Sequence, residues 1–478
     1  MATINKRKKS EPIFTHEGAK ACKITPELQL RRTLMACMLW ENTFYEDGEA
    51  ISDRLIDIIP KVKADKCADL AKYARNQGKL RHASLLVART MAKIDGHKSY
   101  VADVLEDIIQ RPDELAEFLA IYWKDGRQPL SAQVKKGLAR AFNKFDEYQL
   151  AKYNRDNDIK LKDVLFMCHA KPKDGIKGYT KESRKNGGRG RTLNKGELLF
   201  KNLVDGTLTV PDTWEVNLSA GEDKKTTFER LLKEKKMGAL ALLRNLRNMN
   251  DADVSENLIF KALETVKVDR VLPFRFIAAA RYAPQWEAQL EQAMFRCVTD
   301  KPKFSGKTVV LVDVSVSMLD PLSGKSDMRC MDAACGVAMV LRELCDNVRI
   351  YTFSNALKLV PSRRGFALRD AIINSQRHGR TLLGASVKSL QTDKDFDSDA
   401  YYYDVDINGK NESYNRLVVI TDEQVTRGDI PAPTGKGYMI NVATNKNGVG
   451  YGPWTHIDGF SEAVIDYLRE FENFDALR

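Results

Sequence analysis

The spacing of apolar residues changes near residue 300, and this change limits the folds that the chain can adopt. From about residue 25 to residue 300, apolar residues recur at helical spacing, which indicates one amphipathic helix after another. From Phe304 onwards, short β-branched runs alternate with helical patterns, which indicates βα crossovers and a mostly parallel sheet. The sequence therefore predicts an N-terminal arm over 1–24, a helical-repeat domain over 25–300 and an α/β doubly wound domain over 301–478.

The basic excess of the chain lies in its amino-terminal part. The whole chain has 76 Lys and Arg residues against 65 Asp and Glu residues, a formal net charge of +11. Residues 301–478 contain 22 basic and 23 acidic residues, so residues 1–300 contain 54 and 42 and carry an excess of +12. Residues 151–200 alone contain 13 basic and 6 acidic residues. A basic stripe localised in this way is typical of a polyanion binder, although charge alone leaves a protein without a nucleic-acid partner open.

An Asp and two Ser residues follow the first predicted strand of the α/β domain. The apolar run Thr308–Val312 precedes Asp313, Ser315 and Ser317, and ligands of open α/β sheets bind just beyond the carboxyl ends of strands. Strands are also predicted at Val348–Phe353, Arg416–Thr421 and Gly437–Val442. Thr381, which we expect to be the N-cap of a helix over Leu382–Gln391, and Asp422, which follows Arg416–Thr421, add two more oxygens. Few charges and several neutral oxygens suit a hard divalent cation, most of all Mg²⁺.

Two other interpretations of these residues stay open. Asp313 and Asp422 could simply cap the helices that follow them, as Asp often does after a strand. A bound cation could also activate water for hydrolysis, for which His378 and Glu423 are the nearest candidate bases. The sequence has no cluster of carboxylates for a two-metal site, which argues against a hydrolase or nuclease.

Basic residues on two predicted helices are the candidates for contacts with RNA. Lys and Arg at such positions would contact phosphates and provide affinity without reading the sequence, or they would simply face solvent. The candidates are Lys152, Arg155, Lys160, Lys162, His169, Lys171, Arg244 and Arg247. The segment 170–195 between them is rich in Gly, Lys and Arg and almost free of apolar residues, so we expect a loop that contacts RNA, with a solvated insertion as the alternative.

Cysteine usage and hydropathy indicate a cytoplasmic protein. The eight cysteines include no CxxC pair and no spacing with His that is typical of zinc sites, so reduced thiols are expected. No apolar run approaches the about 18 residues that a membrane-spanning helix needs, and the basic amino terminus lacks the apolar run of a signal peptide.

The chain resembles the Ro autoantigen family, whose members combine a TROVE domain with a von Willebrand factor A domain, and in particular its bacterial members. The resemblance covers roughly residues 13 to 478, and the five oxygen donors around Asp313 match a metal-ion-dependent adhesion site in the right order. The matching segments in the helical part are Phe14–Gly18, Leu30–Arg32, Leu39–Glu41, Phe44–Gly48, Leu80–His82, Leu161–Leu165, His169–Pro172, Lys236–Met237, Ala241–Leu246 and Leu272–Phe274.

This resemblance implies a fold and a set of partners. It implies a monomeric ring of HEAT-like helical pairs closed by the A domain, with structured small RNA of the Y type on the outer surface. Single-stranded 3′ ends of misfolded noncoding RNAs would enter the central hole, and an exoribonuclease would be a third partner. Lys152 and His169 match RNA contacts of the family, whereas Arg155 lies one position from the family's arginine, where Asp156 stands.

The sequence and the resemblance together predict an RNA-binding protein without catalytic activity that acts in noncoding RNA quality control. The main rival is a metal-dependent adaptor in which the A domain captures a carboxylate of a partner protein and RNA plays no role. The excess of +12 on residues 1–300 argues against that rival, because an adaptor has no need of a basic helical domain.

Overall fold

The structure is a computed structural model that describes most of the chain. It describes residues 13–14, 20–23, 25–35, 48–172, 195–269, 271, 273–322, 327–392, 410–423, 425, 430–443, 449–450, 452–458, 464–465, 468–469 and 472. The chain divides into two compact units, which we call the helical unit, Ser52–Glu222, and the composite unit, Met1–Ile51 with Asp223–Arg478. Most of the predicted loop 170–195 and most of the acidic insertion before Asn415 lie outside the described residues.

The helical unit is a series of short helices that pack against their near neighbours in the sequence. After α1, Pro26–Met35, in the composite unit, and α2, Gly48–Ile58, which crosses the boundary, its helices are α3 Ala64–Asn76, α4 Arg81–Lys93, α5 Val101–Ile108, α6 Asp113–Tyr122, α7 Ala132–Phe142, α8 Glu147–Tyr153, α9 Leu161–Cys168, α10 Lys195–Asp205 and α11 Trp214–Ser219. Helix pairs such as α3 with α4 and α5 with α7 pack side by side. Local packing of this kind is what a helical-repeat pattern predicts.

A glycine allows a close approach between two helices of this unit. A Cβ atom at Gly137 of α7 would lie 2.8 Å from Cβ of Leu105 and 3.0 Å from the backbone of Ala102, both in α5. Real Cβ contacts are not that short, so any larger residue would push the two helices apart. Leu105 and Leu138 are fully buried, which places this contact in the core of the unit.

The composite unit joins the last helices of the series to a mostly parallel sheet. Its further helices are α12 Lys224–Lys233, α13 Ala239–Asp251, α14 Glu256–Thr265, α15 Phe274–Tyr282, α16 Glu287–Arg296, α17 Cys330–Leu344, α18 Gly365–Ile373 and α19 Leu383–Gln391. Its strands are β1 Ile13–Phe14, β2 Lys20–Lys23, β3 Phe304–Asp313, β4 Cys345–Phe353, β5 Leu357–Leu359, β6 Arg416–Thr421, β7 Lys436–Asn441, β8 Val449–Gly450 and β9 Thr455–Asp458.

The larger sheet has six strands in the order β5-β4-β3-β6-β7-β9. All of its pairs are parallel except β4 with β5. Residues Thr308–Asp313 of β3 and all of β6 are buried, because helices cover both faces of a doubly wound sheet. This arrangement confirms the predicted fold class of a helical-repeat domain with an α/β doubly wound domain.

The last helices of the series pack directly on this α/β layer. Helix α15 packs on α17, and α16 packs on α18, where Oε1 of Glu291 accepts a hydrogen bond of 2.7 Å from the backbone N–H of Phe366. The predicted boundary between residues 300 and 301 lies between α16 and β3, and as a division into domains it stays a prediction. Among the helices of the described part of the chain, none is long and apolar enough to cross a membrane.

Candidate cation site and RNA-binding surfaces

Asp313 lies at the carboxyl end of β3, and both of its carboxylate oxygens accept hydrogen bonds. The backbone N–H of Ser315 donates to Oδ1 at 2.8 Å, and Oγ1 of Thr421 donates to Oδ2 at 2.6 Å. Thr421 is the last residue of β6, the strand next to β3, so the sheet itself holds this side chain in place. The carboxylate of Asp313 is therefore fixed before any ligand arrives.

Two buried carboxylates lie close enough to affect each other at this edge of the sheet. Burial, together with the charge of Asp422, raises the pKa of Asp313 to about 7. Oγ of Ser315 lies 3.2 Å from Oγ of Ser317, so the two hydroxyls that were predicted as ligands are neighbours. A buried pair of carboxylates without a cation is costly, whereas a hard divalent cation would be stabilised by these carboxylate and hydroxyl oxygens. The donor set thus fits Mg²⁺.

A loop before α19 brings Thr381 to the same place. The backbone N–H of Val316 donates to the carbonyl of Gly379 at 3.0 Å, and Nδ1 of His378 lies 2.8 Å from the carbonyl oxygen of Val314. Helix α19 begins at Leu383 with Leu382 as its N-cap, so the prediction that Thr381 caps this helix is wrong by one residue. Thr381 is buried in this loop, one residue before the N-cap of the helix.

The two candidate general bases are both engaged in other contacts. Oε2 of Glu423 lies 3.2 Å from the guanidinium of Arg32, and its Oε1 lies 2.9 Å from Nδ1 of His456. Burial alone would raise the pKa of Glu423, but Arg32 and His456 lower it, so this carboxylate holds protons weakly. Among the described residues, no three His, Cys, Asp or Glu side chains surround a common metal position. These contacts argue against a hydrolytic site that uses Glu423 as its base.

A basic surface of the helical unit is formed by α8, α9 and the segments that follow them. Lys152, near the end of α8, and Arg155 line a cleft of about 520 Å³ together with residues 208–211. Lys160 precedes α9 and forms an ion pair of 2.5 Å with Asp156. Arg155 and Lys171 are exposed, and Lys162 is half-buried. Arg155, Lys162 and Lys171 form no ion pair with another described residue, and the ammonium of Lys152 lies 5.9 Å from the ring centroid of Tyr153.

His169 ends α9 in a conformation that is unusual for a residue with a side chain. Its φ of 53° is left-handed, and its backbone N–H donates to the carbonyl of Phe166 at 3.2 Å. Phe166 is 57 % exposed, which is unusual for an aromatic residue. Lys162, Phe166 and His169 are four and three residues apart, so they share one face of the helix end. Sequence reasoning missed Phe166, although this spacing beside His169 could have identified it.

A second basic surface lies in the composite unit, in a groove of about 420 Å³ between α13 and α15. Arg244 and Arg247 are both exposed on its α13 side, and Arg275 and Tyr282 line its α15 side. The guanidinium carbon of Arg247 lies 5.3 Å from the ring centroid of Tyr282, a cation–π distance. Leu240, 48 % exposed, adds an apolar wall. Sequence reasoning missed Arg275 and Tyr282, because their helix carries no local sign that it faces α13.

Comparison with known proteins agrees with the fold and with part of the sequence resemblance. The TROVE domain family matches residues 206–333, which include the groove between α13 and α15. The structure is similar to the crystal structure of the Ro (RSR) protein of Deinococcus radiodurans, with a TM-score of 0.58 and 16% sequence identity over 92% of this chain and 98% of that one. The TROVE match over part of the chain and the shared fold agree with the Ro family that the sequence resemblance indicated.

Proposed function

We propose that the chain binds the unpaired ends of noncoding RNAs through the groove between α13 and α15. The observation that carries this proposal is the combination of three arginines with an exposed tyrosine in one groove, Arg244, Arg247, Arg275 and Tyr282. Proteins bind single-stranded RNA without sequence preference by neutralising its phosphates and stacking its bases on aromatic rings. A guanidinium above the Tyr282 ring favours this use, because it can contact a phosphate while the ring remains available to a base.

The surface around α8 and α9 is suited to a structured RNA. Lys152, Arg155, Lys162 and Lys171 would contact phosphates on a duplex backbone, which provides affinity without sequence reading. Phe166 and His169 would stack on bases where a loop or bulge exposes them. By analogy with the family, the ligand is a small Y-type RNA, and an exoribonuclease that degrades the captured RNA is the third partner.

The cation site is suited to binding a partner and not to catalysis. Asp313, Ser315, Ser317, Thr381 and Asp422 would hold Mg²⁺ and leave it electrophilic, with a position open to an oxygen of an outside carboxylate or phosphate. Arg32 and His456 hold Glu423, the carboxylate that the sequence offered as a candidate base. We therefore infer a protein without catalytic activity of its own that acts in RNA quality control.

Fluorescence anisotropy with labelled RNAs tests the groove and the α8–α9 surface separately. The double variant Arg244→Ala with Tyr282→Ala should bind an oligoadenylate at least about tenfold more weakly, since a stacked base alone is worth about 1–3 kcal/mol. It should bind a small structured RNA as the wild type does. The double variant Lys152→Ala with His169→Ala should show the opposite pattern. Equal losses for both RNAs in both variants would contradict the assignment of two surfaces.

The metal-dependent adaptor remains the second candidate function. The observation that favours it is the fixed carboxylate of Asp313 beside the paired hydroxyls of Ser315 and Ser317, since a divalent cation held there would bind a carboxylate of a partner protein. An adaptor of this kind would bind neither RNA with salt-dependent affinity. Anisotropy titrations at several salt concentrations therefore separate the two functions.

A further inference from the structure

A second groove of the composite unit combines an aliphatic floor with a rim of lysines. It has a volume of about 500 Å³ and lies where α12, the start of α13 and α14 pack together. Leu231, Leu232 and Met237 form the buried part of its wall, and Leu258 is only partly covered. No acidic and no aromatic side chain lines this groove among the residues that the structure describes around it.

The rim of the groove has a positive charge that is largely uncompensated. Lys233, Lys235, Lys261 and Lys267 surround it and are all exposed. Lys233 has Glu229 at 3.6 Å, whereas the other three have no carboxylate within 4 Å in the described part of the chain. The groove also includes Gly238, the N-cap of α13, which offers no side chain to the first N–H groups of that helix. These N–H groups add partial positive charge to that of the lysines.

The chemistry of this groove differs from that of the groove between α13 and α15. Sites for unpaired RNA need aromatic or guanidinium planes against which bases stack, and this groove offers neither. Lysine is a point charge without a preferred plane, and aliphatic walls are best filled by aliphatic side chains. A ligand that matches both features has carboxylates around one or two aliphatic side chains.

We infer that this groove binds a short acidic segment of a partner protein. Leucine or isoleucine side chains of the segment lie on the floor formed by Leu231 and Met237, and its Asp and Glu carboxylates face Lys235, Lys261 and Lys267. The groove shares no lining residue with the groove between α13 and α15, so this proposal does not depend on RNA binding there. It gives the protein a means to recruit a protein partner without using its arginines.

A fluorescein-labelled peptide of ten residues, with Glu and Asp on both sides of a Leu-Leu pair, serves as the probe. Anisotropy with the full-length protein should show saturable binding, which weakens when the Leu-Leu pair is replaced by Ser-Ser. The double variant Lys261→Glu with Lys267→Glu should bind the peptide at least about tenfold more weakly, equivalent to about 1.4 kcal/mol. Lys261→Arg with Lys267→Arg should bind it as the wild type does, since the charge is kept.

The matched control is Lys63→Glu with Lys66→Glu, two exposed lysines of the helical unit that give the same change in net charge. This control should bind the peptide as the wild type does, and both Glu variants should bind oligoadenylate equally. Equal binding of the Leu-Leu and Ser-Ser peptides, or equal losses in the control, would overturn the proposal. So would displacement of the peptide by oligoadenylate, because the groove would then be an RNA surface.

Discussion

Replacing His169 with glycine should stabilise the protein while it weakens RNA binding. His169 ends α9 with a φ of 53°, a conformation that glycine adopts easily and that a residue with a Cβ atom does not. Its backbone N–H and that of Ala170 close the helix on the carbonyls of Phe166 and Leu165, and glycine keeps both hydrogen bonds. The imidazole is exposed, so its removal leaves no cavity.

The expected gain in stability follows from the backbone alone. A left-handed conformation costs a residue with a side chain about 1–2 kcal/mol. The larger entropy of glycine in the unfolded chain offsets about 0.5–1 kcal/mol of that. The net gain is then about 0–1.5 kcal/mol, and its midpoint of about 0.75 kcal/mol raises Tm by roughly 1.5–3 °C for a unit of the size of Ser52–Glu222. If a base stacks on the imidazole, the loss of about 1–3 kcal/mol weakens RNA binding by roughly 5- to 150-fold.

Thermal unfolding and anisotropy with a structured RNA measure the two effects on the same sample. His169→Ala is the first control, since it loses the imidazole and keeps the unfavourable φ, so it should lose RNA affinity without the rise in Tm. Lys79→Gly is the second, because Lys79 also has a left-handed φ of 56° in the same unit. It should raise Tm and leave RNA affinity unchanged. A His169→Gly variant with raised Tm and full RNA affinity would refute the role of the imidazole, and a lowered Tm would refute the backbone argument.

Three further predictions follow from the contacts of single residues. The guanidinium of buried Arg75 lies 2.5 Å from the carboxylate of Glu114. Glu114→Ala removes this carboxylate, so it should lower the free energy of unfolding of the helical unit by about 3–5 kcal/mol in urea titrations. Without divalent cation, the free energy of unfolding of the composite unit should fall as the pH rises from about 4 to about 7, because folded Asp313 keeps a proton that the unfolded chain releases. Asp313→Asn should flatten this pH dependence. Mg²⁺ at 100 times its Kd should stabilise the wild type by about 2.7 kcal/mol and leave Asp313→Asn unchanged in thermal unfolding, whereas equal stabilisation of both would contradict the cation site.

The sequence predicted those elements whose pattern is local. The strand Arg416–Thr421 has the predicted bounds, and β3 and β4 contain the predicted strands, because a continuously apolar β-branched run has few alternatives in an α/β domain. Helices α8, α10, α11 and α15 are only 6 to 11 residues long, and so few turns give a weak helical period in the sequence.

At the candidate sites, too, the sequence predicts contacts that follow from strand order but not those that depend on helix packing. Strands β3 and β6 are parallel neighbours, which places Asp313 beside Thr421 and Asp422. The sequence could therefore predict that these oxygens lie in one site. The pairing of Arg247 with Tyr282 depends on how α13 packs on α15, and no periodicity encodes that contact. The ion pair between Arg32 and Glu423 joins residues 391 positions apart, so it too needed the fold.

The RNA that accompanies the protein in its native cells tests the central claim most directly. The protein should be purified from those cells after ultraviolet crosslinking, and the attached RNA should be sequenced for the wild type and for Arg244→Ala with Tyr282→Ala. We predict a defined small RNA with both proteins, and fragments with unpaired 3′ ends with the wild type alone. Recovery of no RNA above the level of an unrelated basic protein would contradict the account and favour the metal-dependent adaptor.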